Sequence, residues 1–155
     1  MHYYFAYGSN MNAARVKKRQ VPFSGFEAGV LEGYRLVFNK RSTIYPGAAS
    51  ANIEISKNDQ VEGLLYVLED DQGIEAMDPF EGYPVRYDRT LVSIQTAQST
   101  VQSWVYIANQ AYLAAGLRPA SWYLNHLLAG ERYLSRPYFE RLASTACLPD
   151  SDVEP

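Results

Sequence analysis

The stretch Val61-Glu62-Gly63-Leu64-Leu65-Tyr66-Val67-Leu68 decides how this chain is read. A strand with one wet face alternates apolar and polar residues, but this run becomes apolar on both faces toward its end. Such a strand suits a barrel or a sheet covered on both sides. Working outward, the turn residues Asn58-Asp59 precede it, and Ala51–Ile55 reads as another strand. Phe26–Leu31 and Tyr34–Asn39 read as two strands joined at Glu32-Gly33, a hairpin turn. Residues 40–48 carry Pro46 and Gly47 and read as a loop.

Beyond the central run, Asp70–Met77 reads as a helix, and Tyr87–Gln95 and Val101–Ile107 as strands around Gln98-Ser99-Thr100. Ala120–Ala129 places Tyr123, Leu124, Leu127 and Leu128 on one helical face. A last helix, Pro137–Ser144, has proline at an early position. At the other end, Tyr3–Ala6 is a short aromatic strand, followed by the turn and cap residues Gly8, Ser9 and Asn10. Met11–Arg19 is then a short helix with a basic end, as the helix dipole prefers. Strands followed by helices define an α+β chain, a single domain over residues 1–148. The polar tail 149–155 is expected to fray.

A chain of 155 residues is one domain by length. Folding at this size buries roughly 70% of the extended surface, enough for a core without staples. Hydrophobic residues make up 47% and charged residues 20%, which is ordinary for a globular protein. The net charge of -3 argues against nucleic acid, whose phosphates need clustered cations. The basic cluster Lys17-Lys18-Arg19 reads as a solvated helix face. The single cysteine, Cys147, cannot form an internal disulfide, and a free thiol suits a reducing compartment. No apolar run approaches the ~20 residues of a membrane span, and no signal peptide is evident. A cytoplasmic protein without membrane partners is expected. Thirteen tyrosines fit either half-buried strands or a pocket lined by hydroxyls, and composition does not separate the two.

Several chemistries are excluded. A Ser-His-Asp triad needs an accessible histidine. Only His2 and His126 exist, and His126 falls off the apolar face of its helix, as a solvated histidine would. Zinc needs several His or Cys ligands at fixed spacing, and the acidic stretch from Asp70 to Glu81 lacks the calcium-loop spacing. Tyr7–Asn10 has one glycine and no following lysine, so it is not a phosphate loop. Cys147 has no base nearby in sequence and reads as inert. No metal and no cofactor are expected.

Carboxylate chemistry and backbone electrostatics remain. Tyr7-Gly8-Ser9-Asn10-Met11 is a glycine turn feeding a helix, which leaves backbone N–H groups free for an anion or a developing oxyanion. It also reads as an ordinary turn capped by Ser9 or Asn10. Asp78-Pro79-Phe80-Glu81-Gly82-Tyr83-Pro84 sets a carboxylate between an aromatic and a glycine. Desolvation there would raise the pKa of Glu81 and let it shuttle protons. The same residues also read as an N-cap, a first-turn proline and a capping-box glutamate.

Together these segments resemble the γ-glutamylcyclotransferase family, including the γ-glutamylamine cyclotransferases and AIG2-like proteins. The family's opening strand and loop stands here as Tyr4-Phe5-Ala6-Tyr7-Gly8-Ser9-Asn10. Its second motif stands as Asp78, Glu81, Gly82, Pro84, Tyr87 and Arg89. Its C-terminal helix start stands as Pro119-Ala120-Ser121-Trp122-Tyr123, with alanine where serine is common. The similarity covers roughly residues 3–145 and implies a compact mixed β-barrel flanked by helices. It implies Glu81 as catalytic acid/base, Tyr4, Phe5, Ala6, Tyr7, Gly8, Ser9 and Asn10 as the substrate-binding segment, and Tyr87 and Tyr123 beside them.

The implied reaction converts a small γ-glutamyl amide to 5-oxoproline and a free amine or amino acid. Glutathione ranks lower, because its specific relatives have a differently composed loop after Tyr-Gly-Ser. A non-catalytic binding or interaction protein on the same fold is the alternative, and a monomer or homodimer is expected. Pro79 departs from the family's usual polar residue and lacks an N–H, so the helix before Glu81 is expected to break early. Glu81 and Tyr123 are expected to face Gly8 and Ser9 across one cavity.

Overall fold

The computed structural model describes residues 1–155. Five strands close into a barrel: β1 (His2–Ala6), β2 (Phe23–Arg41), β3 (Ala49–Leu68), β4 (Tyr87–Gln95) and β5 (Thr100–Ala108). Around the barrel the order is β1-β3-β2-β4-β5. β1 runs antiparallel to β3, with Phe5 opposite Leu65, and parallel to β5, with Tyr4 opposite Trp104. Four helices flank it: α1 (Ala13–Lys18), α2 (Gln72–Glu81), α3 (Ser121–Leu128) and α4 (Arg136–Ala143). No helix is long and apolar enough to cross a membrane.

The doubly apolar reading of residues 61–68 is explained by two cores. Val61 and Leu65 point into the barrel, where they meet Phe5, Leu31, Ile53, Ile94 and Val105 from all the strands. Leu64, Tyr66 and Leu68 point outward into a second core. There Val16, Ile74, Met77, Leu124, Leu127, Tyr138 and Leu142 cover the sheet from the four helices. Strand alternation thus sends neighbouring residues into different cores. Gly63 lets β1 and β3 approach closely, since a Cβ there would lie 2.3 Å from the carbonyl oxygen of Ala6.

Several expected boundaries differ. The hairpin at Glu32-Gly33 does not form, and neither does a break at Asn58-Asp59. β2 and β3 are single strands of 19 and 20 residues, paired along one long hairpin whose loop spans 42–48. Gly33 (φ +82°) and Asn58 (φ +71°) absorb a register shift instead, from Glu32 opposite Gln60 to Tyr34 opposite Ile55. Turn-forming residues in a strand also make bulges, and tertiary pairing selects between the outcomes.

α2 is longer than expected. It runs through Asp78 and Pro79 to Glu81, so neither the early break at Pro79 nor the capping-box role of Glu81 holds. Loss of one N–H is tolerated because Ile74 and Met77 anchor the helix in the outer core. At the N-terminus, Ser9–Met11 is a 3-10 turn, and neither Ser9 nor Asn10 is the cap. Asn12 caps α1 by accepting the N–H of Ala14 at 3.2 Å.

The polar tail is docked rather than frayed. Ala120 at the N-cap of α3 has no side-chain acceptor. Ser151 replaces it from the tail: its Oγ accepts the N–H of Ser121 (2.9 Å) and its carbonyl accepts that of Trp122 (3.0 Å). Glu154 reaches Arg15 and His126. His126 is therefore not a free solvated histidine. Asn12 Nδ2 lies 3.1 Å from its Nδ1, and Glu154 meets its Nε2. Removing a cap of this kind costs about 1 kcal/mol. Ser151→Ala is accordingly expected to lower the unfolding free energy measured in urea by about that amount, whereas Ser144→Ala, whose hydroxyl caps no helix N-terminus, should leave it nearly unchanged.

Candidate active site

The site begins where α2 ends. Gly82 adopts a left-handed conformation (φ 72°, ψ 31°) directly after Glu81. The N–H groups of Gly82 and Tyr83 both donate to the Asp78 carbonyl, closing the helix C-terminus. Any side chain at Gly82 would collide with Arg86, because a Cβ would lie 2.0 Å from its Nε.

Asp78 and Arg89 fix the last turn of α2 to the barrel. Arg89 donates from Nε (2.9 Å) and Nη2 (3.1 Å) to the two Asp78 oxygens, and the Tyr106 hydroxyl donates to Oδ1 at 2.7 Å. The guanidinium also lies against the rings of Tyr83 and Trp104. Paired, charge-assisted bonds of this kind hold geometry as well as energy. These two motif residues therefore position Glu81 and do not face the cavity.

Asn10 joins the loop to Glu81. It is 2% exposed. Its Nδ2 donates to the Tyr4 hydroxyl (2.9 Å) and to Glu81 Oε1 (3.2 Å), and its Oδ1 accepts from Arg19 Nη1 (2.9 Å). Its carbonyl accepts the Tyr66 hydroxyl at 2.6 Å. Arg19 thus turns inward from the basic cluster and stacks on Phe80, while Lys17 and Lys18 stay exposed. The reading of all three as a solvated face fails at Arg19, because α1 ends there and frees its side chain to cross the loop.

Tyr4, Phe5, Tyr7, Gly8, Ser9, Asn10, Glu81, Tyr87 and Tyr123 line one cavity of about 30 Å³, together with Ala51 and Tyr106. Glu81 and Tyr123 therefore face Gly8 and Ser9 as the sequence led us to expect. Ala6 is the exception: it is packed in the outer core and does not line the cavity. Phe5 is fully buried and forms only wall. A second cavity of about 150 Å³ adjoins it, with Ser9, Glu81, Tyr87 and Tyr123 in the walls of both. Lys40 and Arg86 line this outer part, and nothing in the sequence marked them.

The tyrosines divide by where their protons go. Tyr7 donates to the Tyr106 carbonyl (2.6 Å), Tyr87 to the Ala51 carbonyl (2.7 Å), and Tyr106 to Asp78. Those three hold structure. Tyr123 instead accepts the Ala51 N–H (2.9 Å) and Tyr4 accepts from Asn10, so each keeps a proton to donate. Burial raises the pKa of both, that of Tyr123 to about 12, which keeps them neutral donors. The backbone N–H groups of Gly8, Ser9 and Asn10 have no acceptor within the protein.

Burial likewise pushes the Glu81 carboxyl above the ordinary glutamate range, with Arg19, Lys40, Arg86 and Arg15 opposing it. Lys40 is shifted the other way, down to about 8, by its own burial and by Arg86. No three His, Cys, Asp or Glu side chains cluster to hold a metal ion.

With this geometry in view, comparison with known proteins is informative. The family described as gamma-glutamyl cyclotransferase, AIG2-like, matches residues 4–124, and the chain belongs to that family. Among solved structures, uncharacterized protein loc79017 from Homo sapiens superposes with a TM-score of 0.84 at 22% identity, over 96% of this chain and 89% of that one. A gamma-glutamyl cyclotransferase gives 0.81 at 20% identity over the same shares. The yeast gamma-glutamyl cyclotransferase specific to glutathione gives 0.63 at 13%, over 91% and 93%. These likenesses establish the shared fold. Comparison with curated proteins found no match.

The raised pKa of Glu81 has a consequence for stability. The folded chain holds the Glu81 proton more tightly than the unfolded chain does. The stability it contributes is present below the ordinary glutamate pKa and is lost as pH rises through the raised value. Glu81→Gln removes that loss. Near neutral pH the variant should unfold at higher denaturant than the wild type, and the gap should close in acid. Equal midpoints across the pH range would contradict this account of the carboxyl.

Proposed function

We propose that the chain is a γ-glutamyl cyclotransferase that releases 5-oxoproline and a free amine, with Glu81 as acid/base. The observation that carries this reading is the approach of a desolvated carboxyl and a set of unpaired backbone N–H groups to one small cavity. Membership of the family and the likeness to a gamma-glutamyl cyclotransferase of known structure support the same reaction class.

The substrate holds both reacting groups, so the protein needs no nucleophile. Glu81 takes a proton from the substrate α-ammonium. The freed nitrogen lone pair attacks the γ-carbonyl carbon, and a C–N bond closes the five-membered ring. The carbonyl oxygen becomes anionic against the N–H groups of Gly8, Ser9 and Asn10. The carbonyl then re-forms as the original amide C–N bond breaks. The departing nitrogen leaves as an ammonium, taking the proton held by Glu81 and the surplus proton of the ring nitrogen.

Holding the chain curled supplies most of the acceleration, since well-oriented intramolecular attack reaches effective molarities of roughly 10⁵–10⁸ M. Tyr4 and Tyr123 donate to the glutamyl group and fix that curl.

The test is 5-oxoproline production from a panel of γ-glutamyl amines and amino acids. Glu81→Gln should lower turnover of the best substrate by about 10²–10⁴-fold, in a variant that stays folded. Near wild-type turnover would refute the mechanism. Binding of 5-oxoproline without turnover of any compound would mark a binding protein instead. Tyr123→Phe should weaken catalysis less, by on the order of tenfold, because one neutral donor is lost. An unchanged kcat/KM would remove Tyr123 from the site.

A further inference from the structure

The outer cavity carries a charge pattern that cyclisation does not use. Four cationic side chains, Arg15, Arg19, Lys40 and Arg86, line it, against the single carboxylate of Glu81. Three of the four have protein acceptors. Arg15 meets Glu154, Arg19 meets Asn10, and Arg86 donates to the Thr43 hydroxyl at 3.1 Å.

Lys40 has none. It is 4% exposed, makes no ion pair, and its ammonium rests only near the rings of Tyr87 (5.5 Å) and Tyr112 (5.9 Å). Its Nζ is open to the cavity and donates to no protein acceptor, so a ligand there can supply the partner the protein does not. Arg86 and Arg41 repel its charge, and Glu81 alone among the neighbouring groups favours it without reaching hydrogen-bond or ion-pair distance.

The two parts of the cleft differ in what they can hold. The inner cavity has no cationic side chain and encloses Glu81 among hydroxyls and backbone amides. The outer cavity adjoins it at Ser9, Glu81, Tyr87 and Tyr123. With the γ-carbonyl at the loop N–H groups of the inner cavity, the atoms beyond the scissile amide extend toward the outer one. There they meet Lys40 and Arg86, with Phe80 and Trp122 as apolar wall.

We propose that Lys40, supported by Arg86, is a specificity-determining residue that binds a carboxylate on the departing amine. This rests on the cyclotransferase reading above and narrows it to substrates whose leaving group is an amino acid with a free carboxylate. Neutral amines lack a partner for Lys40. Amines with a second positive charge meet a cationic wall.

The experiment compares two substrates that differ only in that carboxylate: γ-glutamyl-alanine and γ-glutamyl-alanine amide. Production of 5-oxoproline is followed for the wild type, Lys40→Met and Lys40→Arg. The wild type should favour the free acid in kcat/KM by about tenfold or more, as expected when one partner of a desolvated charge pair is removed. Lys40→Met should collapse that preference toward unity, mainly through KM for the acid, and Lys40→Arg should retain part of it.

Equal wild-type rates for acid and amide would overturn the proposal while leaving cyclisation intact, and this arm needs no variant to fold. A Lys40→Met enzyme that slows both substrates equally, with its preference unchanged, would also overturn it, by placing Lys40 on the glutamyl group. If the wild type forms no 5-oxoproline from either compound or from the wider panel, the cyclotransferase reading fails, and this proposal fails with it.

Discussion

Four of the elements near the cavity are tied together by the buried Asn10, through its side-chain amide and its backbone carbonyl. Its few polar atoms engage Tyr4 from β1, Tyr66 from β3, Arg19 at the end of α1 and Glu81 at the end of α2. A buried amide in this position must satisfy both its donor and its acceptor, or the fold loses the desolvation cost of each. The arrangement therefore couples the loop after β1 to the carboxyl of α2. The loop also leaves its own N–H groups unspent, which is what a site for a developing oxyanion requires.

Around that joint, most polar groups serve the scaffold. Asp78 and Arg89 anchor α2, and Tyr7, Tyr87 and Tyr106 spend their hydroxyls on backbone carbonyls or on Asp78. Glu62 accepts the N–H and hydroxyl of Ser135 at the start of α4, although it is nearly buried. The groups left over, Tyr4, Tyr123, Glu81 and Lys40, are those that face the cleft without a full set of partners. What sets these groups apart from the scaffold is unsatisfied valence rather than residue type.

The C-terminal tail shows how a local departure is compensated at a distance. Alanine at position 120 cannot cap α3, and Ser151 does so from thirty residues away in sequence. Because α3 carries Tyr123 and Trp122 into the cleft, the tail braces the wall of the site from behind, through the Trp122 N–H and Arg15. Neither the tail's composition nor the helix signal announces this. A polar, acidic segment looks frayed until its acceptors are seen beside the orphan N–H groups of a particular helix.

Sequence by itself determined the class of fold and the strand after which the loop forms, while the pairing of that loop with Glu81 was implied only by the family resemblance of the ordered motifs. Those features rest on period, turn residues and ordered motifs, which are local. Tertiary structure decided the rest. Gly33 and Asn58 could make turns or bulges, and pairing of two long strands chose bulges. Pro79 could end a helix, but the outer core kept α2 intact to Glu81. Arg19 read as part of a solvated helix face and Lys40 was unmarked, yet both line the cleft. Local signals state what a backbone segment can adopt, whereas burial and partner geometry depend on residues that are distant in sequence. That is why Glu81 was legible in the chain and the cationic mouth of its cavity was not.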